Sequence, residues 1–303
     1  MITYLQRRQI NKESWNDVIS NSPHETIYPY SWYLDACALN WGGFIMNDYE
    51  CIMPVAFKKV AGLKYTYQPL YCQQLGVYSK QRVDSEISRM FLHALKKQFN
   101  MGDYAFNAGN ILGEEKGFEI TDNVNYVLQL SDQYEEIETN YNEYCKRNIK
   151  KAVSHGLEFS KNFKIKDLID LKRSFDTADR NEEEYVHMED FFSDLKRQDK
   201  IQVVGARKEG ELLAGAIFAY SEQRIVYLFS ASSQKGKEYK AMFMILDKII
   251  QLHCGEIRKF DFEGSNISSI ANFFRGFGAK PDIYQRIRFQ NSISKLAKRI
   301  KGG

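Results

Sequence analysis

The residues best placed to do chemistry lie in Lys259-Phe260-Asp261-Phe262-Glu263-Gly264-Ser265. Strand alternation puts Phe260 and Phe262 on one face and Asp261 and Glu263 on the other. The acids end a predicted strand just before a helix, where ligands often bind in open α/β sheets. A carboxylate there could take a proton from an amine nucleophile. Asp261 or Glu263 could equally pair with a nearby base or cap the following helix.

Three more segments carry candidate groups. Ser230 to Tyr239 joins a predicted strand to a helix start, where free backbone N–H groups attract anions. Gln234, Lys235, Gly236, Lys237 and Tyr239 would complement a phosphate or carboxylate there; the other reading is a solvated loop with two exposed lysines. In Ala271 to Ala279, Gly276 and Gly278 permit tight turns, Phe273, Phe274 and Phe277 read as core, and Arg275 is either held for function or reaches solvent. Arg147, Lys150 and Lys151 share a helix face that could receive a phosphate-bearing or acidic substrate, or could be solvated beside Glu143. No histidine has metal-ligand spacing, and no Gly-x-Ser-x-Gly, Walker or Gly-x-Gly-x-x-Gly pattern occurs. A covalent serine or cysteine nucleophile has no support.

The elements that must position these groups follow from periodicity. Asn11 to Ser20 reads as a helix capped by Asn11, Tyr30 to Leu39 as a second, and Ser85 to Phe99 as a third, with Ile87, Phe91, Leu95 and Phe99 at helical spacing. Phe44 to Met46 and Cys51 to Lys58 read as strands around a turn at Asn47-Asp48; Lys64 to Leu70, Tyr104 to Phe106 and Asn125 to Leu130 read as further strands. Gln133 to His155 is expected to be one charged helical stretch, buried along Ile137, Tyr141, Tyr144, Ile149 and Val153 and stopped by Gly156. It would bridge to a second domain. There, helices over Leu168–Asp176 and Met188–Gln198 precede a meander of Ile201–Arg207, Leu212–Tyr220 and Ile225–Ala231. A loop then leads to a helix over 238–253, a strand over Ile257–Phe262, a helix over Ser265–Arg275 and a strand over Ile283–Phe289. The tail, with Ile293, Leu296, Ala297 and Ile300 among basic residues, reads as a short amphipathic helix that docks or touches a membrane surface.

At 303 residues the chain has room for two domains, and 44% hydrophobic against 27% charged residues excludes a largely disordered protein. A formal charge of +3 is too small to argue by itself for nucleic acid or an anionic membrane, and no DNA partner is expected. The five cysteines are scattered without a Cys-x-x-Cys pair, which reads as reduced thiols. The N-terminus lacks a signal-like apolar run, and no stretch approaches the roughly 18 apolar residues of a membrane span. A cytoplasmic location is expected.

Certain stretches together resemble the Fem-like members of the GNAT superfamily. They are Leu213-Ala214-Gly215-Ala216-Ile217-Phe218, Tyr227 to Ser232, Phe260 to Ser265 and Phe274-Arg275-Gly276-Phe277-Gly278, in that order, with Arg147 to Ala152 before Gly156-Leu157. Gln68-Pro69-Leu70 and Gln73 to Val77 add a fainter likeness in the first half. The resemblance implies an α+β fold with a mixed α/β sheet, built from two GNAT units in tandem, residues 1–132 and 133–303, with a cleft between them. It implies transfer of an acyl or aminoacyl group to an amine, with acyl-CoA or aminoacyl-tRNA as co-substrate and no covalently bound cofactor. The acceptor would be a small molecule or a cell-wall-precursor-like amine. Lys235 and Lys237 would hold a phosphate, Asp261 or Glu263 would take the amine proton, and Arg275 would stabilise negative charge. Two departures stand out. Arg275 occupies the place of a lysine in the peptidoglycan group, and an arginine keeps the charge but cannot serve as a proton carrier near neutral pH. The acetyl-CoA loop pattern Gln/Arg-x-x-Gly-x-Gly/Ala retains only Gly236, out of register. The alternative is a non-catalytic module that keeps the fold and binds a ligand.

Overall fold

Caps and apolar stripes set the elements much as their residues demand. The computed structural model describes residues 1–60, 62–161, 163–264 and 266–291. Two compact units emerge: Met1–Val124 together with the chain from Asp282, and Asn125–Pro281. The expected boundary lay at 132/133; here the last described strand pairs with a strand of the first unit.

The first unit begins with β1 (Ile2–Gln6) and α1 (Lys12–Ser20), whose Asn11 side chain accepts from the Glu13 and Ser14 N–H groups. Then come α2 (Ser31–Cys37), β2 (Trp41–Met46), β3 (Cys51–Val60), β4 (Leu63–Thr66), α3 (Ser85–Gln98) and β5 (Met101–Ala105). Asp84 caps α3, and Phe91, Leu92 and Leu95 bury its inner face. β6 (Glu119–Gln129) carries the chain into the second unit.

There the expected single helical stretch is two helices, α4 (Tyr134–Thr139) and α5 (Glu143–Ser154). Asn142 breaks it, because its side chain accepts from the Cys145 N–H and starts a new helix. The buried stripe also shifts. Ile137 and Tyr141 are buried as expected, but Tyr144 and Val153 are exposed, and Cys145, Asn148 and Ala152 face inward. After β7 (Glu158–Ser160), α6 (Ile165–Phe175) and α7 (Glu182–Arg197) comes the antiparallel meander of β8 (Ile201–Lys208), β9 (Glu211–Tyr220) and β10 (Arg224–Ser232).

The segment read as a loop at 232–237 is mostly helical: α8 (Gln234–Glu238) precedes α9 (Ala241–His253). α9 buries Phe243, Met244, Ile245, Leu246, Ile249 and Ile250, each side chain contributing about 1.5–3 kcal/mol of transfer free energy. β11 (Lys259–Gly264), α10 (Ser268–Gly276) and β12 (Lys280–Gln290) complete the chain. Strand order is β1-β2-β3-β4-β5-β12-β6 in the first unit and β6-β11-β10-β9-β8-β7 in the second, mostly antiparallel with parallel pairs β4–β5 and β10–β11. The fold is therefore mixed α+β. The helix expected over the tail from Ile293, and Ser265 at the expected start of the α10 helix, lie outside the described residues. Among the described residues no helix is long and apolar enough to cross a membrane, and no cluster of His, Cys, Asp and Glu could hold a metal ion.

Candidate functional site

In the second unit two parallel strands part company. The described β10–β11 ladder pairs Arg224 with Lys259, Ile225 with Phe260 and Val226 with Asp261, and stops there. β10 nevertheless runs on to Ser232, bulged between Tyr227 and Phe229 against β9, while β11 runs on to Gly264 with a register shift against β6 after Asp261. A bulge twists a strand away from its neighbour, so both strands diverge at their carboxyl ends. Backbone donors and acceptors in such a gap seek partners outside the ladder.

Asp261 holds that divergence in place. Its carboxylate is fully buried and paired with the Arg224 guanidinium at 2.5 Å, and it accepts from Asn125 Nδ2 at 3.2 Å. Its other oxygen accepts from the Glu263 N–H at 2.8 Å. That local bond, an Asx-type reversal, accompanies a left-handed backbone at Glu263, φ 59°. The expectation that alternation sends both acids to one open face is therefore corrected. Asp261 is consumed by a buried base, since a buried charge must be paired. Glu263, turned by the left-handed residue, sits half-exposed at the strand end.

The opposite face of β11 is aromatic. Phe260 and Phe262 pack at 4.6 Å between ring centroids, Phe262 meets Phe274 at 5.1 Å and Phe277 at 5.7 Å, and Phe274 meets Tyr227 edge-on at 6.4 Å. Burial pushes the Tyr227 hydroxyl up, so it keeps its proton. Beside this cluster a cavity of about 480 Å³ opens among Asn142, Tyr144, Phe243, Asn272, Phe273 and Arg275. Phe243 and Phe273 meet edge-on at 4.7 Å, and Tyr144 leans on Phe243 at 5.9 Å. The Arg275 guanidinium lies 5.9 Å from the Tyr126 ring centroid, and its Nε donates to the Ala271 carbonyl at 3.4 Å. One turn along α9 from Phe243, Asp247 accepts from the Tyr134 hydroxyl at 2.5 Å. Burial pushes that carboxyl up, against the opposing pull of the hydrogen bond.

The lysine segment does not form the open anion loop expected of it. Gly236 N–H is taken by Ser233 Oγ, Lys237 N–H by the Ser233 carbonyl and Tyr239 N–H by the Lys235 carbonyl. Gly236 is needed for packing: a Cβ there would lie 2.1 Å from the Leu213 carbonyl oxygen. Gln234 and Lys237 are exposed, Lys235 pairs with Glu211 at 3.4 Å, and Tyr239 stacks on His155 at 4.2 Å. Arg147 and Lys150 lie exposed on α5 and are not among the cavity's lining residues. The uncapped helix start lies further on. Lys240, left-handed at φ 61°, precedes α9 and offers no side-chain cap. Nothing in a lysine marks a left-handed residue, so sequence reading passed over it. Asn142, Tyr144, Phe243 and Asn272 also escaped notice, because helical spacing alone does not tell a cavity wall from a core face.

Residues 140–272 match the family model described as an acetyltransferase (GNAT) domain. No curated protein matches the chain in sequence. Among solved structures, the chain is similar to FemX, with a TM-score of 0.65 at 9% identity over 93% of this chain and 96% of that one. It is similar to L-PGS from Bacillus licheniformis, with a TM-score of 0.52 at 13% identity over 92% of each chain. A tandem GNAT protein from the clavulanic acid biosynthesis pathway gives a TM-score of 0.54 at 9% identity over 95% of this chain and 98% of that one. At such identities the structural likeness speaks to fold. Residues 140–272 thus match a GNAT domain model, and the fold of the chain is similar to that of FemX, L-PGS and the tandem GNAT protein.

Proposed function

We propose that the second unit transfers an acyl or aminoacyl group from an activated ester or thioester to an amine. The observation that carries this reading is the parting of β10 and β11 after Val226 and Asp261. An extended donor laid in the gap would take up backbone hydrogen bonds that the ladder leaves off, with its carbonyl held by N–H groups of fixed direction. Acyl-CoA and aminoacyl-tRNA both present such a carbonyl. The neutral amine attacks it, a C–N bond forms, and the C–S or C–O bond to the carrier breaks. Glu263, at the end of β11, takes the amine proton, which returns to the departing thiolate or alkoxide. Asp261 acts as a positioning residue, since its carboxylate is spent on Arg224, Asn125 and the Glu263 N–H. Arg275 supplies a fixed positive charge at the aromatic cavity for an anionic part of a substrate.

The test offers acetyl-CoA and, separately, charged tRNA together with a panel of amines, and follows transfer by mass spectrometry. Glu263→Gln is expected to lower kcat by roughly 10²-fold or more with little change in KM, the usual scale for losing a general base. Full activity in that variant removes Glu263 from the mechanism. Donor binding without any turnover in the wild-type chain would favour the binding-module reading instead.

A further inference from the structure

A second cavity lies in the first unit and shares no residue with the site above. It measures about 930 Å³ and opens at the end of α3, the start of β5 and the end of β12. That volume falls within the range of small-molecule sites, roughly 300–1,000 Å³. We propose that this cavity is a binding site for a small aromatic anion, a phosphate or carboxylate carried on a ring-bearing body.

The charge is arranged rather than scattered. Asp103, about four-fifths buried, receives Arg286 Nε at 2.5 Å on one carboxylate oxygen and Arg288 Nε at 3.1 Å on the other. Burial alone would raise its pKa, but the two guanidiniums outweigh that and hold the carboxyl below its ordinary value, so it stays charged and keeps both arginines oriented. Binding through Nε commits one edge of the Arg288 guanidinium. Among the described residues its Nη1 pairs only with Glu119, at a long 4.0 Å. Lys96, also on the wall, gives one hydrogen bond to the Gly117 carbonyl at 3.0 Å, and an ammonium has three to give. Lys96 and Arg288 line the cavity beside Asp103 and Glu119, and Arg286 backs the wall through Asp103, so among the described residues three cations meet two carboxylates.

The apolar half is a set of rings. Phe118 and Phe289 meet at 5.6 Å, Tyr65 completes the wall, and Lys96 Nζ lies 4.5 Å over the Phe118 ring. Gly117 takes a left-handed backbone at this corner, φ +87°, which favours glycine. A ligand with a ring against Phe118 and Phe289 and an anionic group toward Arg288 and Lys96 satisfies both halves.

The test titrates phenyl phosphate, phenylacetate and inorganic phosphate into the full chain and follows backbone amide shifts by NMR. Saturable shifts at Gly102, Phe118 and Arg288 are expected with one or both aromatic anions, and the stronger of the two identifies the anionic group. Arg288→Gln and Lys96→Met should each weaken that binding by roughly tenfold, while thermal unfolding shows that both variants fold. Inorganic phosphate binding as tightly as the aromatic anions would overturn the proposal. So would shifts confined to the second unit, or affinity unchanged in both folded variants.

Discussion

The pairing of Asp261 with Arg224 is a buried ion pair that ties β11 to β10 at the candidate site. Both groups are buried, so removing one leaves an uncompensated charge, which costs about 3–5 kcal/mol. Arg224→Met and Asp261→Leu should each lower the unfolding free energy extrapolated from urea melts by that order. The double variant should lose clearly less than the sum of the two, and additive losses in the cycle would mean that the pair is not coupled. Two other acids set opposite pH slopes. Burial would raise Asp176, but the Ala178 N–H, Lys172 and Arg180 outweigh it and hold its carboxyl well below the usual range. Its folded pKa lies below its unfolded one, so its stabilisation is present above about pH 4 and is lost as pH falls. Asp247 is the reverse: burial raises its folded pKa, so its contribution weakens as pH climbs from about 4 through that raised value. Unfolding free energy measured against pH should lose its acid-side fall in part in Asp176→Asn, whereas Asp247→Asn should be relatively more stable at pH 8 than at pH 4. Parallel curves for wild type and both variants would contradict the two assignments.

Elements were legible in the sequence where a short-range rule governs them. Asn11 starts α1, the stripe of Phe91, Leu95 and Phe99 faces inward around α3, and the β8–β9–β10 meander follows from its turns. What escaped was set by contacts distant in sequence. Gly236 reads as a loop breaker, yet it sits in α8 because the helix crosses the Leu213 carbonyl too closely for any side chain. Gly236→Ala should therefore destabilise the chain by about 1–3 kcal/mol although alanine favours helix, and a stabilised variant would show that the approach is loose. Asn142 was hidden inside a charged run whose periodicity suggested one long helix, although asparagine is a strong helix starter. At the site, Arg275 was visible as a charge among aromatics, and it does line the aromatic cavity. Asp261 was visible as an acid, but its burial was not, because Arg224 is 37 residues away and alternation says only which face a side chain takes, not whether that face is covered.

At the scale of the molecule, the second unit uses a single device: two parallel strands that pair at their amino ends and separate at their carboxyl ends. A buried ion pair anchors the point of separation, aromatic rings line one face, and a half-exposed acid stands at the tip. Pairing strands throughout would satisfy more backbone groups, so the separation makes physical sense if a ligand completes the ladder. The most direct measurement is backbone hydrogen exchange with and without the donor that supports transfer. Slowed exchange concentrated in residues 227–232 and 262–264 is the predicted result. Unchanged exchange there, under conditions where transfer proceeds, would contradict it.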